Sequence, residues 1–218
     1  MSLIEIKNIN YKVEEKQILS NISLNIEKGD FMSLVGPSGS GKSTFLKILA
    51  DLISPSDGEI IYNKKKYSDY NPLDLRKEIA YIRQSPYLFE NTVKENIEFP
   101  YLIRKKSMDM DRVKKLFSDF KMPLSYLDRD VENLSGGEKQ RLSIIRSLIF
   151  EPKVLLLDEI TSSLDVKNVG IVEEVIKNLN DEERTIVWVT HSPEQSKKYA
   201  NKICKLVAGE IDSVEVLR

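Results

Sequence analysis

The chain holds one cysteine, Cys204, and one histidine, His191, in 218 residues. A single cysteine excludes an internal disulfide and fits a reducing compartment. Its place in the apolar run 203–208 marks it as a small buried residue rather than a reactive thiol. Neither charge is in excess: 33 Lys and Arg stand against 34 Asp and Glu, for a net charge of -1. That balance lacks the basic surplus of a general nucleic-acid binder, so no nucleic acid is expected as partner. No apolar run approaches the ~20 residues that cross a bilayer. Glu5 and Lys7 interrupt the opening stretch, so no secretory h-region is expected either. If the protein works at a membrane, another chain supplies the spanning part. There is no internal repeat and no low-complexity tract. What remains is 41% apolar and 31% charged, the composition of a soluble globular protein with one sizeable core, or a core plus a small subdomain.

Residues 36–44 read GPSGSGKST. Gly36, Gly41, Lys42 and Ser43 complete G-x-x-x-x-G-K-[ST], the phosphate-binding P-loop, with Pro37, Ser38, Gly39, Ser40 and Thr44 filling and closing it. The glycines let successive N–H groups turn inward as an anion nest. A helix starting near Lys42 turns its positive end toward the phosphates. The Lys42 ammonium is placed to reach the β- and γ-phosphates and the Ser43 hydroxyl to ligate Mg²⁺. The context fits, because FMSLV (31–35) reads as a strand, and Phe45, Leu46, Ile48, Leu49 and Leu52 recur at helical spacing.

Segments 3–13 and 22–31 read as β-rich, and 58–62 and 79–82 as short strands. Lys64, Lys65 and Lys66 read as a solvated turn. From about 85 to 133 the pattern is helical, with Val113, Leu116, Phe117 and Phe120 on one face. Residues 136–150 follow as a helix, 154–157 as a fully apolar strand, a helix through Val172, Val175, Ile176 and Leu179, a buried strand at 185–190, and two short strands around Ala208 and Gly209. Alternating strands and helices predict an α/β fold with a mainly parallel sheet. The expected division is a core of 1–84 and 134–218, with 85–133 as an inserted helical subdomain. Met108, Asp109, Met110 and Asp111 are read as a solvated helix start rather than a metal sensor.

The apolar strand VLLL ends in Asp158 and Glu159. Asp158 stands where a carboxylate holds Mg²⁺ directly or through water, and Glu159 where one orients and deprotonates an attacking water. Upstream, Leu134, Ser135, Gly136, Gly137, Glu138, Lys139, Gln140 and Arg141 open a helix whose hydroxyl and N–H groups form a second anion site.

Together these segments resemble ATP-binding cassette (ABC) ATPases over essentially the whole chain. The resemblance implies a P-loop NTPase core with an N-terminal antiparallel β subdomain and an inserted α-helical subdomain. It identifies Ser135, Gly136 and Gly137 as the signature. Gln84 is identified as a glutamine that contacts Mg²⁺ and the attacking water. Asp165 ends a D-loop that contacts the opposite subunit, His191 is a switch histidine at the γ-phosphate, and Tyr11 is the aromatic that stacks on adenine. Two positions depart from the common pattern: Ile160 where proline is frequent, and Glu138 where glutamine is. The resemblance implies ATP and Mg²⁺ as cofactors and a homodimer through two composite ATP sites. It further implies a multi-span membrane permease as partner, and a cytoplasmic location at the inner face of the membrane. Tyr87, Leu88 and Phe89 with 92–97 lie where a permease helix docks in such transporters, or pack as ordinary subdomain core. The segments 99–104, 144–165 and 187–191 look like the ATP-binding subunit of iron-efflux ABC exporters. A soluble ABC ATPase without a permease, such as one serving iron–sulfur cluster assembly, is the alternative.

Overall fold

Alternation of buried isoleucines sets the N-terminal hairpin. The structure, a computed structural model, describes residues 2–89, 91–190 and 192–217. β1 (Ser2–Val13) pairs antiparallel with β2 (Lys16–Glu27). Ile4, Ile6 and Ile9 are buried along β1. The inward side jumps from even to odd numbers because the register shifts between Ile6 and Ile9. β2 starts six residues before the β-rich segment expected at 22–31 and stops at Glu27, where a turn separates it from β3 (Phe31–Val35). The P-loop follows, then α1 (Lys42–Leu49), β4 (Asp57–Tyr62) and β5 (Lys65–Lys66). β5 corrects the expected solvated turn: its side chains are exposed, but its backbone pairs Ile61 with Lys66 and Tyr62 with Lys65. Leu52, expected to continue the helical stripe, lies beyond α1 and is 47% exposed.

Next come α2 (Pro72–Glu78), β6 (Ile79–Ile82), α3 (Val93–Ile103), α4 (Met110–Asp119) and α5 (Gly136–Leu148). The chain closes with β7 (Val154–Asp158), α6 (Val166–Asp181), β8 (Thr185–Val189), α7 (Pro193–Tyr199), β9 (Lys202–Val207) and β10 (Glu210–Val216). A four-stranded antiparallel sheet has the order β2-β1-β4-β5, and a six-stranded sheet the order β10-β9-β3-β8-β7-β6. Within the second sheet β9, β3, β8 and β7 run parallel and β10 is an antiparallel edge. Every residue of β7 and β8 is buried, as befits central parallel strands covered on both faces.

The chain divides into two compact units. The first comprises Met1–Tyr81, Pro152–Glu159 and Leu179–Arg218; the second comprises Ile82–Glu151 and Ile160–Asn178. In the first, Ile4, Leu34, Phe45, Leu46, Leu156 and Val189 belong to one continuous core. In the second, α3 and α4 both pack on α5, burying Val93, Ile97, Phe117, Leu142 and Ile145. Asp109 caps α4 by accepting the N–H groups of Asp111 and Arg112 at 3.0 Å each, so the Met108–Asp111 stretch is the helix start expected.

A buried ion pair stitches β3 to β9. Asp30, 5% exposed, accepts the Glu27 N–H at 2.8 Å and the Lys202 ammonium at 2.7 Å on one oxygen, and the Asn201 amide at 3.0 Å on the other. Cys204 on β9 is fully buried, and burial pushes its thiol pKa up to about 12. A thiol reagent at pH 8 should therefore modify Cys204 only as fast as the protein unfolds. Rapid stoichiometric labelling of the folded chain would contradict that packing.

Candidate nucleotide site

The P-loop takes the backbone its glycines permit. Gly36 has φ 148° and Gly41 φ 100°. A Cβ at Gly36 would lie 2.0 Å from the Leu206 carbonyl oxygen, and one at Gly41 2.6 Å from the Leu19 side chain. No other residue fits either place. The Gly209 N–H donates to the Ser40 carbonyl at 3.1 Å, and the Ser20 N–H to the Gly209 carbonyl at 2.9 Å, so the β9–β10 turn buttresses the loop. Pro37, Ser38 and Gly39 are exposed at its crest, Thr44 is half-buried, and Ser40 is buried with no partner for its hydroxyl among the described residues.

Lys42, the first residue of α1, is buried, and its ammonium donates to the Gly36 and Pro37 carbonyls at 2.9 Å each. Burial pushes its pKa below the usual lysine value, against the opposing pull of Glu159 and Asp158. Across from it, β7 delivers Asp158, whose two oxygens each accept one hydroxyl: Ser43 at 2.9 Å and Tyr81 at 2.7 Å. Ser43 and Asp158 are hard oxygen donors, the kind Mg²⁺ takes alongside phosphate oxygens and water. Among the described residues no group of three or more His, Cys, Asp and Glu could hold a metal by itself. The donor set therefore fits an ion shared with phosphates rather than caged by protein. Glu159 is half-buried, has φ 50°, and donates its N–H to the Val189 carbonyl at 3.1 Å. Ile160, where the frequent pattern has proline, is fully buried. Tyr11 lies half-buried on β1 against the core of the first unit.

Gln84, Ser135, Gly136, Gly137 and Asp165 belong to the second unit. Gln84 is exposed and donates to the Ser162 hydroxyl at 3.3 Å. Ser135 is the exposed N-cap of α5. Its hydroxyl oxygen accepts the Glu138 N–H at 3.3 Å, while the Glu138 carboxylate accepts the Ser135 N–H at 2.8 Å. Because Ser135 Oγ acts as acceptor within the cap, its proton is free to be donated outward. Nothing lies within 4 Å of a Cβ built on Gly136. One on Gly137 would lie 2.7 Å from the Asn168 amide, which Asp165 holds by accepting both the Asn168 N–H and its side chain. The signature and the Asp165 segment thus touch within this unit. His191 lies outside the described residues.

Sequence reasoning passed over Tyr81 and Asn168 as site residues. A tyrosine on the strand just before Gln84 was the only signal for the first. Nothing local marks the second.

The chain matches the ABC transporter family over residues 19–162. It is 41% identical over 212 residues to the "Probable iron export ATP-binding protein FetA" of Escherichia coli, covering 96% of this chain and 94% of that one. It is 36% identical to a choline transport ATP-binding protein of Bacillus subtilis, over 91% of this chain but only 53% of the relative's length. Among solved structures it resembles the dimeric ATP-binding cassette MJ0796 in a post-hydrolysis state bound to ADP and Pi. That likeness has a TM-score of 0.88 at 32% identity and covers 99% of both chains.

Proposed function

We propose a function from one premise: this chain belongs to the ABC transporter family. It is the ATP-binding and ATP-hydrolysing subunit of such a transporter, and a separate membrane permease carries the cargo. The carrying observation is the convergence of Lys42, Ser43 and Asp158 behind a P-loop in which Gly36 and Gly41 admit no side chain. The Lys42 ammonium leaves the Gly36 and Pro37 carbonyls to pair with the β- and γ-phosphates, and the loop N–H groups cradle them. Mg²⁺ held by Ser43 and Asp158, with Gln84 as a further ligand, would neutralise phosphate charge. Tyr11 stacks on adenine, Glu159 takes the proton of the attacking water, and His191 contacts the γ-phosphate. Ser135, Gly136 and Gly137 of one copy clamp the ATP of a second, with Asp165 at the interface, so ATP closes a homodimer and hydrolysis opens it.

No described helix is long and apolar enough to cross a membrane. We propose that the permease holds the chain at the inner membrane face. The cargo we infer is a metal, iron, moving outward. Support comes from the near full-length match to the iron-export relative, against the half-length match to the choline one. Both relatives are named as export or transport ATP-binding proteins, which favours this reading over a permease-free ATPase.

Lys42→Ala tests the assignment. It should weaken ATP binding about 10–100-fold, the worth of one or two charge-assisted bonds. The variant should stay folded yet lose most of the rise in melting temperature that Mg-ATP gives the parent. Equal nucleotide stabilisation of both proteins would remove the P-loop from the mechanism.

A further inference from the structure

Glu138 serves two partners at once. One carboxylate oxygen closes the reciprocal cap with Ser135 described above. The other accepts the Tyr126 hydroxyl at 3.1 Å. Tyr126 sits in the 3₁₀ turn Leu124–Asp128, and the Arg129 guanidinium covers its ring at 3.7 Å from the centroid. Arg129 in turn accepts the Val93 N–H at 2.9 Å, and the Val131 N–H donates to Asn91 at 2.8 Å, which fixes this segment to the start of α3. Burial alone would raise the Glu138 pKa, but the Ser135 and Tyr126 bonds and nearby Arg141 hold it below the usual carboxylate value. The group is therefore an anion at neutral pH. Its lone pairs are turned toward the cap and the tyrosine rather than toward an incoming phosphate.

A free N-cap serine samples several rotamers, and the one that accepts the third-residue N–H holds its oxygen at the helix end with its proton left to donate elsewhere. In Ser135 that rotamer is fixed from both sides: the Glu138 N–H engages the hydroxyl, and the Glu138 carboxylate pins the serine's own backbone. Tyr126 then limits where the carboxylate can sit. Glutamine at this position can accept the Ser135 N–H with its amide oxygen and donate to the Tyr126 oxygen. Alanine can do neither.

We propose that Glu138 and Tyr126 are positioning residues that lock the Ser135 hydroxyl into the orientation that donates to the nucleotide phosphate of the facing copy. This rests on the clamp reading of Ser135, and neither residue touches the nucleotide. The test uses full-length Glu159→Gln protein as parent. Mg-ADP binding by calorimetry reads each chain's own P-loop, and Mg-ATP-driven dimerisation by analytical ultracentrifugation reads the clamp. Glu138→Ala should weaken dimerisation about 10-fold or more, and Tyr126→Phe about 3–10-fold, on the scale of one or two hydrogen bonds per site. ADP affinity should stay within about twofold in both. Glu138→Gln should restore dimerisation to within about threefold of the parent, which a merely structural loss would not predict. In the double variant Tyr126→Phe should add nothing to Glu138→Ala, since the relay is already broken. Loss of the cap leaves the chain folded, and a melting scan checks this. Parent-like dimerisation by Glu138→Ala, or strictly additive effects of the pair, would overturn the relay. A parent that binds Mg-ADP but never dimerises with Mg-ATP would overturn the clamp itself and the relay with it.

Discussion

Glu159→Gln should slow ATP turnover about 10²–10⁴-fold, the usual contribution of a positioned general base. The amide keeps the shape of the side chain and loses the proton acceptor. The backbone turns sharply at this residue. A non-glycine residue at φ 50° carries about 1–2 kcal/mol of strain. Here it is held by the Val189 carbonyl on the neighbouring strand. That turn ends the strict alternation of β7, so Asp158 and Glu159 are not forced onto opposite faces as consecutive strand residues would be. Glu159 also pulls the Lys42 pKa upward, and so acts electrostatically at the P-loop. Removing its negative charge should tighten ATP binding while hydrolysis stalls. Single-turnover kinetics should show ATP retained in a long-lived dimer. A kcat equal to that of the parent would take Glu159 out of the chemistry.

Asp30→Ala should cost about 3–5 kcal/mol, because it strands a buried ammonium without its counter-ion. Lys202 and Asp30 have side-chain exposures of 12% and 6%, so water cannot replace the lost partner cheaply. Three donors converge on the carboxylate, and Asn201 is tied to both Asp30 and the Phe31 N–H. The expected fall in melting temperature is about 6–20 °C for a chain of this size. Trp188, the only tryptophan, is buried beside Phe31 and reports the transition by its fluorescence. Adding Lys202→Met to Asp30→Ala should recover a large part of the loss, since an apolar pair avoids the uncompensated charge. A loss under about 1 kcal/mol in Asp30→Ala would show the pair behaving like an exposed one.

Much of this was readable beforehand, for identifiable reasons. β7 and β8 announce themselves because strands buried on both faces are written as unbroken apolar runs. The P-loop and the Asp158–Glu159 pair carry their chemistry in adjacent residues. α2 and α7 went unread because seven-residue helices show too little periodicity, and Leu75 is the only buried residue of α2. Their starts were signalled all the same: Asn71 before Pro72 and Ser192 before Pro193 are caps followed by proline at the first helical position. α3 runs on through Pro100, where the sequence alone argues for a stop. The Tyr81–Asp158 and Tyr126–Glu138 bonds join residues 77 and 12 positions apart. Such contacts depend on tertiary placement, which neither composition nor spacing encodes.

The buttress beneath the P-loop bears on biosynthesis. Residues 36–41 emerge from the ribosome early, yet the Leu206 carbonyl and the Gly209 amide that brace them arrive about 170 residues later. A nascent chain that already displays its glycine-rich motif has no finished cradle for an anion. Chains truncated before Lys202 should therefore bind nucleotide far more weakly than the full chain, because the glycine-rich segment then lacks the backbone it leans on.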